Sequence, residues 1–280
     1  MTGRAGVLID PDGLNALRGG DPAPAILDVR WALGDRNGRE HHAAGHIPGA
    51  VYVDLETELS GPPGAGRGRH PLPEPAALQE AARGWGIGEG SPVVAYDDVG
   101  NFSAARAWWL LRWAGLDSVQ LLDGGLGAWR AAGYPIESGP VLPARGEVTL
   151  TPGALPALGA EEAGALARTG LLLDARAAER FRGELEPVDP RAGHIPGAVS
   201  APTSENLRPD GTFADPAALA RRFSALGADR AAAIGVYCGS GITAAHELAA
   251  LAIAGYDAVL YPGSWSEWVS DPARPAAVGP

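Results

Sequence analysis

The sequence is poor in several residue types, and each shortage narrows what the chain can be. A single cysteine among 280 residues excludes an internal disulfide bond, which fits a reducing compartment. No stretch approaches the roughly 18 consecutive apolar residues of a membrane span, and the first residues lack the apolar core of a signal peptide. Lysine is absent, so all 22 basic residues are arginines, and we assign no function to this bias. We therefore expect a soluble, cytoplasmic protein.

The charge balance limits the possible partners. The formal net charge is −11 at neutral pH, with 33 acidic residues against 22 basic ones. A surface of this sign repels phosphate backbones, so we expect no nucleic-acid partner. We also expect no membrane partner, no metal and no cofactor.

The two halves of the chain repeat each other. Matched landmarks in the same order indicate two copies of one structural unit. They are Ile26–Arg30 with Leu172–Arg176, Gly45–Val51 with Gly193–Val199, Ala95–Asp97 with Val236–Cys238, and Gly124–Trp129 with Gly263–Trp268. We predict an N-terminal domain over residues 1–137, a linker rich in Pro and Gly over 138–156, and a C-terminal domain over 157–280.

Each half alternates short apolar strands with helical segments. This alternation is typical of an α/β fold in which helices flank a parallel sheet. The predicted strands are 26–29, 93–96 and 119–122 in the first half and 171–174, 232–237 and 258–260 in the second. The predicted helices are 103–114, 125–132 and 243–254.

The only cysteine, Cys238, stands where a predicted strand ends and a helix is about to begin. Gly239 and Gly241 let the loop curl so that its backbone N–H groups converge on one point, with the positive end of the following helix behind them. Such a position stabilises a thiolate. The loop therefore indicates a nucleophilic cysteine rather than a small buried apolar one.

The repeat fails at the cysteine position. The first half carries Asp97 there, so only the second half can be catalytic, and the N-terminal domain is predicted to be inactive. The first half also has an insertion rich in Gly, Pro and Arg over residues 61–73, which carries His70. We expect this insertion to reach across the domain interface.

These features resemble the tandem-domain rhodanese family. The resemblance rests on the doubled Gly-His-Ile-Pro-Gly-Ala motif, Asp-Gly-Gly at 123–125, and Gly-Ser-Trp-Ser-Glu-Trp at 263–268. The loop Cys238–Ala244 is similar to that of the 3-mercaptopyruvate sulfurtransferase branch. The thiosulfate branch usually has arginine and lysine after the cysteine, where this chain has Gly239 and Ser240.

The resemblance implies a two-step sulfur transfer. Cys238 would take sulfane sulfur from 3-mercaptopyruvate as a persulfide and pass it to cyanide or to a thiol, such as thioredoxin or a small thiol. It assigns catalytic roles to Ser240, His70 and a carboxylate at Glu56, with Asp54 as the alternative.

The resemblance also implies a substrate-binding set in which arginines bind the substrate carboxylate. Arg180 matches one arginine of the family, and Arg191 is the nearest candidate for the second. The full predicted set is Arg180, Arg191, Gly239, Gly241, Ile242 and Thr243.

The cysteine loop has three alternative interpretations. A Cys-x5-Arg phosphatase would need an arginine at position 244, where this chain has Ala244. Thiosulfate remains the alternative donor. A third possibility is a persulfide carrier that shows no turnover with small donors.

Overall fold

The computed structural model describes residues 3–35, 37–64 and 66–280. Its strands are β1 Leu8–Ile9, β2 Ala25–Asp28, β3 Val51–Tyr52, β4 Val93–Tyr96, β5 Val119–Leu122, β6 Leu171–Asp174, β7 Val199–Ser200, β8 Ile234–Tyr237 and β9 Val259–Leu260. Its helices are α1 Arg4–Val7, α2 Pro11–Leu17, α3 Gly38–Ala44, α4 Pro75–Gly84, α5 Ala104–Trp113, α6 Gly125–Ala131, α7 Ala160–Thr169, α8 Ala178–Phe181, α9 Pro216–Ala225, α10 Thr243–Ala254 and α11 Ser264–Trp268.

The strands form two parallel sheets, one in each half of the chain. The first has the order β1-β5-β4-β2-β3 and the second β7-β6-β8-β9. The central pairs repeat, since Asp28 pairs with Tyr96 in the first sheet and Asp174 with Tyr237 in the second. The predicted fold class, two tandem α/β domains with parallel sheets, is confirmed.

The two sheets differ at one edge. Strand β1 pairs with β5 in the first sheet, whereas in the second sheet Ala157 makes only an isolated parallel bridge to Leu260. No helix in the described ranges is both long and apolar enough to cross a membrane. The predicted domain limits at 137 and 157 stay predictions, and the segment between α6 and α7 contains neither helix nor regular strand.

A matched ion pair supports the carboxyl end of each sheet. Arg30 Nη2 lies 2.7 Å from Asp28 Oδ2, and Arg176 Nη2 lies 2.6 Å from Asp174 Oδ2, with all four side chains buried. Both arginines also donate to a carbonyl of the Gly-His motif that follows them in the chain, at Gly45 and Gly193. Because both halves share this arrangement, its role is structural.

One apolar core spans both halves. Leu27 of β2 and Leu173 of β6 belong to the same cluster of buried side chains. Helices α5 and α10 pack against each other where the halves meet. The loops that precede these two helices therefore lie near the interface.

Candidate active site

The cysteine loop connects β8 to α10, as the sequence predicts. Cys238 is 2% exposed, and its Sγ accepts a hydrogen bond from Gly241 N at 3.1 Å. Gly241 has φ of 80°, which turns the chain back toward the sulfur. Ser264 Oγ accepts from Cys238 N at 3.1 Å and fixes the start of the loop. Within the described residues, the N–H groups of Ser240 and Ile242 meet no protein acceptor.

The first domain shows what such a loop binds. The carboxylate of Asp97, at the cysteine position, accepts backbone N–H bonds from Val99, Asn101, Ser103 and Ala104 at 2.7–3.1 Å. Burial raises the pKa of Asp97, although these four N–H groups favour its charged form. The loop of the first domain is thus filled by a carboxylate of its own chain. In the second domain the corresponding loop carries Cys238 instead and lines a pocket.

The inserted loop of the first domain reaches the cysteine loop. His70 Nδ1 lies 2.8 Å from Ser240 Oγ, and His70 Nε2 lies 3.1 Å from Glu56 Oε2. Arg69 N donates to Ser266 Oγ at 3.1 Å, which ties the loop to the second domain. The predicted crossing of the interface is confirmed, although Ala65 of this loop lies outside the described residues.

The contacts define the direction of the hydrogen bonds around His70. A carboxylate can only accept, so the neutral imidazole donates from Nε2 to Glu56 and accepts at Nδ1 from the Ser240 hydroxyl. Burial lowers the pKa of His70 below its ordinary value, and the charge of Glu56 opposes that shift. His70 is therefore neutral at pH 7. Asp54 takes no part, since its Oδ1 accepts from the backbone N–H groups of Glu56 and Thr57.

Two arginines flank the cysteine loop. Arg180 and Arg69 both line a pocket of about 320 Å³ that contains Cys238. Both point at Gly239, where a Cβ would lie 3.0 Å from Arg69 Nη2 and 3.5 Å from Arg180 Nη1. Arg69 pairs with Asp189, and Arg180 pairs with Glu186 at 2.6 Å, so each guanidinium is held in place by a carboxylate. A planar anion in this pocket meets two guanidinium groups.

The structure does not bring Arg191 to this pocket. Its guanidinium donates to the carbonyl oxygens of Asp271 and Arg274 at 3.0 and 2.9 Å and so stabilises the C-terminal segment. Arg69, and not Arg191, lies beside Arg180 in the pocket. Sequence position alone suggested Arg191, whereas Arg69 reaches the pocket from the other domain.

The remaining predicted residues divide in two. Gly239, Ser240, Ile242 and Thr243 line the pocket, whereas Gly241 lies behind it and supplies the N–H bond to sulfur. The pocket also includes residues that the sequence did not single out. These are Trp31, Leu33, Phe102, Ala175, Arg176, Ala177, Thr203 and Ser204.

Trp31 supports the histidine. Its Nε1 donates to Glu56 Oε1 at 2.8 Å, and its ring meets the His70 ring edge-on with 5.7 Å between centroids. The sequence offers one signal for it, an aromatic residue directly after Asp28-Val29-Arg30, and that signal is weak.

The profile of the rhodanese-like domain matches residues 10–132 and again 159–271. The chain belongs to the rhodanese family. Its fold is similar to the crystal structure of the 3-mercaptopyruvate sulfurtransferase SseA from Escherichia coli, with a TM-score of 0.82 and 34% identity over 92% of this chain and 98% of that one. The predicted family is confirmed.

Two rhodanese relatives carry different donor names. A Mycobacterium tuberculosis protein named putative thiosulfate sulfurtransferase SseB is 52% identical, over 100% of this chain and 99% of its own length. A Pseudomonas aeruginosa protein named probable 3-mercaptopyruvate sulfurtransferase is 49% identical, over 94% of this chain and 95% of its own length. Both names describe sulfur transfer. Because the two names differ in the donor, the donor of this rhodanese depends on its own site.

Proposed function

We propose that this protein is a sulfurtransferase that takes sulfane sulfur from 3-mercaptopyruvate through a persulfide on Cys238. The observation that carries the choice of donor is the hydrogen-bonded series Ser240–His70–Glu56 beside the sulfur. Loss of sulfur from mercaptopyruvate leaves an enolate, which must gain a proton. Loss of sulfur from thiosulfate leaves sulfite, which departs as an anion and needs none.

The first step forms one bond and breaks another. Cys238 thiolate attacks the sulfur of the donor, the S–S bond forms, the C–S bond breaks, and the electron pair moves onto the carbonyl oxygen of the departing pyruvate enolate. Neutral His70 takes up, through Ser240, the proton that the donor thiol releases. The same route returns that proton to the enolate, so pyruvate leaves and an anionic persulfide remains.

The site stabilises both partners of this step. Arg180 and Arg69 are placed to hold the donor carboxylate. The free N–H groups of Ser240 and Ile242 support the outer sulfur of the persulfide, as the N–H groups around Asp97 support a carboxylate in the first domain.

The second step requires an acceptor from outside the chain. With one cysteine in the whole sequence, no second thiol of the chain can resolve the persulfide. The acceptor attacks the outer sulfur, the S–S bond breaks, and Cys238 leaves as a thiolate. We take cyanide, a small thiol or a thioredoxin-type dithiol as acceptors, and we place the protein in the reducing cytoplasm.

The test compares both donors on one preparation. We expect kcat/KM for 3-mercaptopyruvate to exceed that for thiosulfate at least tenfold, about 1.4 kcal/mol in transition-state stabilisation, with cyanide as common acceptor. Cys238→Ser, with an unchanged circular dichroism spectrum, should abolish both activities. A thiosulfate preference would overturn the donor, and activity with neither donor would favour the persulfide carrier.

The proton route makes a second, more selective prediction. Ser240→Ala should lower kcat/KM for mercaptopyruvate about 100-fold and leave thiosulfate turnover within about threefold, because only the enolate needs a proton. The matched control is Ser204→Ala, since Ser204 lines the same pocket but makes no side-chain hydrogen bond within the described residues. Equal losses with both donors would contradict the relay.

A further inference from the structure

A fully buried arginine joins the two loops of the site. Arg106, in the first turn of α5, has no solvent exposure. Its Nη2 donates to the carbonyl oxygens of His70 and Pro71 at 3.0 and 3.3 Å, and its Nη1 donates to that of Gly241 at 3.2 Å. One side chain therefore holds the histidine loop of the first domain and the cysteine loop of the second.

Within the described part of the chain, the charge of Arg106 has no carboxylate partner. No acidic oxygen lies within 4.0 Å of its guanidinium among residues 3–35, 37–64 and 66–280, and its four acceptors are all neutral carbonyls. The other buried arginines, Arg30 and Arg176, each pair with an aspartate. An isolated buried charge is costly, so a counter-charge is expected nearby.

The group that can supply this counter-charge is Cys238. Burial lowers the pKa of Arg106 to about 10, and the negative charge of Cys238 acts in the opposite direction. The Gly241 residue connects them directly, since its N–H donates to Cys238 Sγ while its carbonyl accepts from Arg106. The Cys238 thiolate thus accepts a hydrogen bond from the residue whose carbonyl oxygen binds the Arg106 guanidinium.

The other basic side chains that line the pocket each have a carboxylate partner. Across the pocket, Arg69 pairs with Asp189 and Arg180 with Glu186, while His70 bonds to Glu56. Beside the loop, Arg176 pairs with Asp174. Among the residues that the structure describes, Arg106 is the buried basic side chain at the cysteine loop whose hydrogen-bond acceptors include no carboxylate.

We infer that Arg106 is a positioning residue for the sulfur transfer, which seats the cysteine loop against His70 and balances the negative charge of Cys238 as thiolate and as persulfide. This inference rests on the proposed role of Cys238 as the nucleophile. It assigns the first domain an electrostatic part in the reaction beyond His70.

The experiment distinguishes the effect of the Arg106 charge from a change in the shape of the cysteine loop. Arg106→Lys keeps the positive charge and Arg106→Gln removes it. Both variants have fewer side-chain hydrogen-bond donors than arginine. At pH 7, alkylation of Cys238 by iodoacetamide should be at least tenfold slower in Arg106→Gln and within about threefold of wild type in Arg106→Lys. Near pH 9.5, where a free thiol is ionised in any case, Arg106→Gln should recover the wild-type rate. A mere distortion of the loop would slow alkylation at both pH values and in both variants.

The control is Arg112→Gln, on the same helix, where the guanidinium stacks on Trp108 and reaches Gly6 O away from the pocket. It should alkylate like wild type. Equal alkylation rates in wild type and Arg106→Gln at pH 7 would overturn the inference. Alkylation requires no sulfur donor, so the inference can fail while mercaptopyruvate turnover stands, and turnover can fail while the alkylation pattern holds.

A second measurement needs no Arg106 variant, in case those chains do not fold. Wild-type Cys238 is converted either to the persulfide with inorganic polysulfide or to the methyl disulfide, two adducts of similar size that differ in charge. The unfolding midpoint of the persulfide form should be at least about 3 °C higher than that of the methyl disulfide form. Equal midpoints, or a higher midpoint for the neutral adduct, would contradict the role of Arg106 as a partner for the anion.

Discussion

At the scale of single residues, one substitution separates the two domains chemically. Asp97 places a carboxylate oxygen pair where the second domain has Cys238, and the loop N–H groups bond to it. The same arrangement of loop N–H groups thus binds the Asp97 carboxylate in the first domain and can bind a sulfur anion in the second. In the proposed reaction the proton carrier is His70, which comes from the first domain.

The state of His70 predicts the pH dependence of the reaction. The relay works with neutral His70, so activity is lost as pH falls through the pKa of this residue. Because burial lowers that pKa below 6.5, we expect the acidic limb of kcat/KM for mercaptopyruvate to have its midpoint below pH 6.5. The charge of Glu56 raises the pKa of His70, so Glu56→Gln should move the limb to still lower pH, with kcat/KM reduced about tenfold to 100-fold.

Asp54→Asn is the matched control for this profile. Asp54 touches backbone N–H groups rather than His70, and the asparagine keeps an acceptor oxygen. Its acidic limb should coincide with that of wild type. A limb that moves with Asp54→Asn and not with Glu56→Gln would assign the supporting carboxylate to Asp54.

At the scale of elements, the sequence predicts those helices and strands that a local pattern of residues specifies. The long helix at 243–254, its end at Gly255 and the central strands β4, β5 and β6 coincide with the structure, because apolar runs bounded by turn residues specify them. The two-residue strands β1, β3 and β7 were not predicted, since so short a segment has no periodicity. Their pairing partners hold them in the sheet.

The site was predictable where a motif stands in one stretch of chain. Cys238 and its loop are of this kind, and the resemblance to rhodaneses added His70 and Glu56. Arg69 and Arg106 escaped because their contacts with the site cross between domains. Arg106 bonds to a residue 135 positions away, and within α5 it stands among tryptophans and alanines that indicate only a packed helix.

The inserted loop makes a prediction at this scale, through two of its glycines. Gly68 has φ of 76°, and a Cβ there would lie 2.9 Å from Gly263 O and from Ser266 Oγ of the second domain. Gly68→Ala should therefore push the loop away and displace His70, with kcat/KM for mercaptopyruvate reduced about tenfold to 100-fold. The steady-state rate with both donors is the measurement.

Gly66→Ala is the control that isolates the interdomain contact. Gly66 has a similar φ of 73°, but no described residue other than its chain neighbours lies within 4 Å of its added Cβ. Both variants carry the same backbone strain, about 1–2 kcal/mol, and only Gly68→Ala adds a clash with the second domain. Only Gly68→Ala should lose activity, and equal activity losses would show that strain alone controls the loop.

At the scale of the whole molecule, the two domains are bound along a shared core. Helices α5 and α10 pack together, and the buried cluster runs from β2 and β4 of the first sheet to β6 and β8 of the second. The first residues of the chain add to the contact, since Gly3 N donates to Ala252 O at 3.0 Å and Arg4 bonds to the Phe213 and Ala214 carbonyls. A site whose parts come from both domains depends on this shared core.

The shared core predicts that both domains unfold in one transition. Leu27 and Leu173 are matched by the repeat, stand on the central strands β2 and β6, and are both fully buried. Changing either to Ala should cost about 2–5 kcal/mol and, in a protein of this size, lower the unfolding midpoint by roughly 5–15 °C. Because the core is continuous, each variant should lower one common midpoint in scanning calorimetry, with calorimetric and van't Hoff enthalpies equal. If Leu27→Ala instead splits the heat-capacity peak, while Leu173→Ala shifts only its other component, the domains unfold separately, and the first domain holds His70 in place through the loop contacts alone.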